Sequence, residues 1–199
     1  MFVHSIMVSD ANIIRFQEIV NAVKTTNHVF DCERVIPHPA SLNVPVGEYT
    51  EAVYESYNEW MRDMLHMSMV ESAMDRQRRL ETLIPIIGDN IQLLARAGFR
   101  SVWDYAERIS YNKSHFGTFS LDKWKKNTWG ICDYTMGRIH DDNRIFVFTS
   151  TDEGKLLQVL KTISMIFPDV KWLYTYGSGD NLGKREKYTI QNGIINSKE

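Results

Sequence analysis

Two cysteines and two histidines flank segments that read as sheet: Cys32, His38, Cys132 and His140. Thiolate and imidazole are the ligands zinc prefers, but zinc sites usually start from a close Cys-x-x-Cys or His-x-x-x-His pair. The chain has no such pair. Half-buried cysteines and surface histidines account for all four, and no metal is expected. Nucleophilic catalysis would need a thiol or hydroxyl beside a base and an orienting group. Cys132-Asp133 and His140-Asp141 could meet across a hairpin to supply them. A cysteine packed in a strand core is the commoner use, and Asp141-Asp142 reads as turn chemistry. No catalytic residue is expected, and no cofactor.

Two further stretches invite anion chemistry. Gly177-Ser178-Gly179-Asp180-Asn181-Leu182-Gly183-Lys184 has the composition of a phosphate-cradling loop. Its spacing is wrong for a P-loop, and Arg185 stands where Ser or Thr should be. A strand follows it, so no helix N-terminus would face the anion. It reads as a flexible hairpin loop. Lys123-Trp124-Lys125-Lys126 with Trp129, and Arg76-Arg78-Arg79, are basic patches. Aromatics among cations can stack bases while neutralising phosphate. The aromatic signature of RNA-recognition sheets is absent, and a net charge of -2 lacks the basic excess of a nucleic-acid binder. Little binding to generic single strands near physiological salt is expected, and little change on replacing Lys123, Lys125 and Lys126 with Ala.

The chain that must position these residues has 199 of them, 43% hydrophobic and 24% charged. That suits one globular domain, or one domain carrying an insertion. Two cysteines make no disulfide framework, which points to a reducing compartment. The N-terminus has no signal-peptide pattern, and no apolar run reaches membrane-spanning length. A cytoplasmic protein with no membrane partner is expected.

Alternation and turn residues predict the elements. Phe2–Val8 reads as a strand, closed by Ser9-Asp10 as a helix N-cap. Ile13, Phe16, Ile19, Val20 and Val23 recur at helical spacing, so Ala11–Thr25 reads as an amphipathic helix. Val29–Ile36 reads as a second strand, stopped by Pro37 and Pro39. Residues 40–123 change character and read as a helical insertion short of a core of its own. It is rich in methionine at Met61, Met64, Met67, Met69 and Met74, a composition that suits an adaptable partner surface. Short helices are expected over Asn90–Ala97 and Val102–Ile109. Thr128–Ile139 and Arg144–Ser150 read as strands joined by a turn at His140–Asn143. A helix from Leu156 to Phe167 follows, then strands at Val170–Tyr176 and Glu186–Gln191, and a polar tail at Asn196–Glu199. This order predicts an α+β fold on the ferredoxin-like plan, an antiparallel sheet with two helices on one face and a helical insertion. The split domain would take 1–39 and 124–199, and the insertion 40–123.

In order along the chain, Phe30-Asp31 with Val35-Ile36-Pro37-His38-Pro39, Gly98-Phe99 with Trp103-Asp104-Tyr105, Asn127-Thr128-Trp129-Gly130, Phe148-Thr149-Ser150, Phe167-Pro168-Asp169 and Tyr188–Gly193 form a series. The series resembles the YubB-like ferredoxin-like family of phage and plasmid accessory proteins. It leaves roughly 40–96 unmatched, and Ile131-Cys132-Asp133 replaces the family's Thr-Lys-Trp after Trp-Gly. The resemblance implies a ferredoxin-like fold, an accessory gene of a mobile element, and no established reaction. A non-catalytic phage or plasmid protein in the host cytoplasm is the leading expectation. It would bind a host protein or a small nucleotide-type ligand and counteract host defence. The contact surface is expected at Trp124, Lys125, Trp129, Arg144, Trp172 and Tyr174. An RNA or single-stranded nucleic-acid binder is the alternative, and an enzyme acting on a phosphorylated substrate the third reading.

Overall fold

The computed structural model describes residues 1–66, 81–179 and 185–198. The chain divides into two compact units, 1–38 with 124–199, and 39–123.

The first unit is an α+β unit built on one antiparallel sheet in the order β2-β3-β1-β4-β5-β6. The strands are β1 (Phe2–Ser9), β2 (Arg138–His140), β3 (Ile145–Ser150), β4 (Lys171–Ser178), β5 (Glu186–Gln191) and β6 (Ile194–Lys198). Side chains alternate across a strand, and one face holds the core. His4, Ile6 and Val8 of β1 stand in register with Phe146 and Phe148 of β3 and Trp172, Tyr174 and Tyr176 of β4, and all are buried. Helix α1 (Ile13–Val23) lays Phe16, Ile19, Val20 and Val23 on this face, with Phe16 tilted against Phe146 at 5.5 Å. Helix α8 (Leu157–Ile166) covers the same face with Val159, Leu160 and Ile163, and the Leu156 N–H just before it donates to the Tyr174 hydroxyl.

Four local expectations are corrected. Asn12, not Ser9-Asp10, caps α1 by accepting from the Arg15 N–H, while Asp10 turns the chain with φ +67°. Val29–Ile36 is no strand: Cys32–Val35 forms a one-turn helix, α2, capped by Asp31. Short apolar runs fit either state, and here the Asp31 carboxylate satisfies the Glu33 N–H, which a strand would not need. The place beside β3 is taken by Arg138–His140 instead. Thr128–Ile139 begins as the end of a helix, α7 (Leu121–Trp129), because Leu121, Trp124, Lys125 and Trp129 fall at i, i+3, i+4 and i+8, along one side of a helix. The polar tail is strand β6, paired with β5 through a turn at Asn192-Gly193, both in the left-handed region.

Beneath the sheet's inner face lies a hydrogen-bonded relay. Ser150 donates its hydroxyl proton to the Asp152 carbonyl at 2.8 Å, so it must accept from His4 Nε2–H, also at 2.8 Å. His4 Nδ1 is then the acceptor for the Tyr174 hydroxyl at 2.9 Å. His4 is fully buried and neutral, and desolvation lowers its pKa to about 4.

The second unit is helical, with α3 (Tyr49–His66), α4 (81–87), α5 (Ile91–Arg96) and α6 (Val102–Phe116). It has a core of its own, contrary to the expectation from sequence. Tyr49, Val53, Tyr57 and Trp60 pack with Leu83, Ile87, Leu94, Trp103, Tyr105, Ile109 and Phe119. Ser101 caps α6, and Gly117 closes it in the left-handed region. Among the described residues, aromatic and aliphatic side chains fill this core. Met61 is exposed, while Met67, Met69, Met74 and the Arg76-Arg78-Arg79 patch lie outside the described residues, as do Asp180–Lys184. No helix among the described residues is long and apolar enough to cross a membrane.

Candidate ligand-binding cleft

Trp129 and Gly130 organise the site. The Trp129 indole N–H donates to the Ile36 carbonyl at 2.9 Å, tying the end of α7 to the end of α2. Gly130 stops the helix at φ +90°, its N–H shared between the Lys125 and Lys126 carbonyls. The chain then passes directly over Gly154-Lys155. A Cβ on Gly130 would overlap the Lys155 carbonyl oxygen, and one on Gly154 would overlap the Gly130 carbonyl. Two backbones meet there with no side chain between them, a use only glycine permits.

Past this crossing, Asp152 holds the loop. Its Oδ2 accepts from the Cys132 N–H at 2.8 Å, the Cys132 thiol at 3.1 Å and the Asp133 N–H at 3.3 Å, and Oδ1 pairs with Lys126 Nζ at 2.7 Å. Burial works to raise this carboxyl, but the Lys126 ammonium and the donors outweigh it and hold it well below the usual carboxylate range. Cys132 thus donates its thiol proton to the Asp152 carboxylate. Asp152→Ala leaves two loop N–H groups without their acceptor. It is expected to cost about 2–3 kcal/mol, read as a lower urea midpoint at unchanged m.

Tyr134 closes the other wall. Its hydroxyl accepts from the Cys32 N–H at 3.1 Å and donates to Asp31 at 3.3 Å, and burial pushes the phenol pKa up. Its ring lies 4.3 Å from that of His28. Cys32 beneath is fully buried, and burial pushes its thiol up to about 12. Between these walls opens a cleft of about 460 Å³, lined chiefly by His28, Asp31, Lys125, Trp129, Asp133 and Tyr134. Lys125 Nζ sits 5.3 Å over the Trp129 ring. The cleft has an aromatic edge, one cation, and carboxylates including Glu33 on the α2 side.

Of the six residues expected at a contact surface, the cleft gathers Lys125 and Trp129. Trp124 is buried against Trp129, the rings edge-on at 5.7 Å. Trp172 and Tyr174 are fully buried under α8. Arg144 lies in the β2–β3 turn with φ +54°, its N–H bonded to the Asp141 carbonyl. An exposed aromatic surface through these four tryptophan and tyrosine rings is therefore corrected: they are core. The reason is period. Trp172 and Tyr174 fall on the inner face of a sheet covered by helices, and Leu173 between them on the outer face. Sequence reading missed His28, Asp31 and Tyr134. Asp31 carried a signal, since an Asp two residues before Glu33 is an N-cap pattern. Cys32, His38, Cys132 and His140 do not form a metal cluster, and no three potential ligands do so among the described residues. His38 Nδ1 instead pairs with Glu33 at 2.6 Å.

No family model matches the chain, and no curated protein does. Among solved structures the chain is similar to the protein api92 from Yersinia pseudotuberculosis, of the DUF1281 family model, at 9% identity and a TM-score of 0.37, over 100% of this chain and 97% of that one.

Proposed function

We propose that the chain is a non-catalytic accessory protein of a mobile element that holds a small nucleotide-type ligand in the Lys125–Tyr134 cleft, and so counters host defence. The first unit is read as a ferredoxin-like variant. Strand order β2-β3-β1-β4 with α1 and α8 on one face supports this, with β5 and β6 as additions. The ordered series of motifs from Phe30 to Gly193 supports the mobile-element origin. What carries the ligand reading is the cleft itself. Its volume of about 460 Å³ falls in the range of small-molecule sites. The His28–Tyr134 ring pair suits a base, Lys125 a single phosphate, and Asp31 with Asp133 suits ribose hydroxyls or exocyclic amines. The buried ionisable groups favour binding over catalysis, because burial keeps Cys32 and Tyr134 protonated. Base stacking on Trp124 or Trp129 is not proposed, since both rings are buried.

Isothermal titration against nucleosides, nucleoside monophosphates and cyclic dinucleotides tests the reading. One of them should bind, with affinity falling at least tenfold on Lys125→Ala and on Asp133→Asn. A host protein captured with equal strength by both variants, with no nucleotide bound, would reject it.

A further inference from the structure

The sheet's second face has a charge pattern that the net charge conceals. Register places Arg138, Val147, Ser5, Thr175 and Lys187 on one cross-strand row, each opposite the next. His140, Ile145, Met7, Leu173 and Thr189 form the row beside it, and Lys171 stands opposite Ser9. Alternation puts all of these on the face away from α1 and α8. Not one Asp or Glu of the strands is among them: Glu186 is in register with Tyr176, on the inner face, and pairs with Lys155. Asp141 and Asp142 lie beyond the strand end, in the turn after His140.

The described cations of this face are also without ion pairs. Arg15, Lys126 and Lys155 elsewhere in the unit are ion-paired, whereas Arg138, Lys171 and Lys187 make no ion pair among the described residues. Between them stand the hydroxyls of Ser5 and Thr175, with that of Thr149 against Thr135 and that of Thr189 buried. Every aromatic residue of the strands (Phe2, Phe146, Phe148, Trp172, Tyr174, Tyr176 and Tyr188) is on the inner face instead.

We infer that this open face is a docking platform for the sugar-phosphate backbone of a single-stranded nucleic acid. The occupant follows from complementarity. Unpaired cations without a competing carboxylate attract a polyanion. A protein partner would be expected to engage aromatic anchors, and this face has none. From Arg138 to Lys187 is four strand spacings, about 19 Å, a length that a few extended nucleotides cover. Without aromatics the contact reads phosphate and sugar, not base, so it is indifferent to sequence. The expectation of little nucleic-acid binding rested on net charge and on the missing aromatic signature of RNA-recognition sheets. The distribution of charge on the sheet puts the contact elsewhere, away from the Lys125 cleft.

Fluorescence anisotropy of labelled oligothymidylate and oligouridylate, titrated with the full chain from about 20 to 200 mM salt, tests this. Binding should appear at low salt. The log–log salt slope should be about -2, because three cations each displace counterion worth about -0.7 on a single strand. Joint replacement Arg138→Gln, Lys171→Gln and Lys187→Gln should weaken binding at least tenfold, and Thr175→Glu at the centre of the row should do the same. The charge-matched control Lys24→Gln, Lys123→Gln and Lys161→Gln should leave it unchanged. Tryptophan emission should not change on binding. Four results would each overturn the inference: no binding at the lowest salt, equal loss in both triple variants, quenched tryptophan emission, or binding to anionic phospholipid vesicles but not to either oligonucleotide.

Discussion

Gly154→Ala should destabilise the sheet unit by roughly 3 kcal/mol or more, at the upper end of what single substitutions do. The added methyl group would occupy the position of the Gly130 carbonyl oxygen. Backbone, unlike a flexible side chain, cannot step aside without dragging its neighbours. Moving Gly130 would strain the Trp129 indole bond to Ile36 and the hold of Asp152 on Cys132 and Asp133. Gly130→Ala adds a left-handed φ to a similar overlap with Lys155 and should cost at least as much. Gly98→Ala is the contrast. Its φ is +89°, yet nothing lies within 4 Å of the added Cβ, so only the backbone term of about 1 kcal/mol remains. Urea melts of the three variants separate the two causes. Equal losses at Gly154 and Gly98 would remove close approach as the explanation.

The second large effect is on pH. His4 titrates near 4 when folded and near 6.5 when unfolded. Between those values the unfolded chain binds a proton that the folded chain refuses, so stability rises with pH across this window. Read downward, the protein loses roughly 3 kcal/mol from this one group as pH falls from 6.5 to 4. Protonation would also place a second N–H against Tyr174, whose hydroxyl must then reverse. His4→Gln can keep partners for Ser150 and Tyr174 but cannot titrate. Its stability should be lower at pH 7 and flatter between pH 6.5 and 4 than that of the natural chain. Parallel pH profiles for the two would remove His4 as the cause.

The sheet was legible where alternation ran long. Phe2–Val8, Arg144–Ser150 and Val170–Tyr176 each carry three or more residues of one face, and β1, β3 and β4 lie within a residue or two of them. The helices with four or more apolar residues at helical spacing, α1 and α8, were legible for the same reason. Val29–Ile36 and Thr128–Ile139 were not. In each a capping carboxylate or a helix end decided the conformation, and apolar content cannot see either. The site was less legible than the fold. Lys125 and Trp129 were found through a basic-aromatic run, but His28, Asp31, Asp133 and Tyr134 converge from distant segments through backbone hydrogen bonds. Residue type alone did not mark Trp172 and Tyr174 as core; the faces of β4 did.

The central position of β1 bears on how the chain is made. β1 leaves the ribosome long before either strand that flanks it. His4 must wait for Ser150, 146 positions on, and for Tyr174, 170 positions on. Pairings this remote close large loops and form slowly. Meanwhile residues 39–123 emerge with a core of their own, so the helical unit can settle first and the sheet last. An amphipathic strand with two open edges is therefore exposed throughout synthesis, the condition under which chains aggregate or recruit chaperones. Ribosome-bound chains arrested with residue 123, and again with residue 199, carried clear of the exit tunnel by a flexible linker should differ in protease resistance at β1, not in the helical unit.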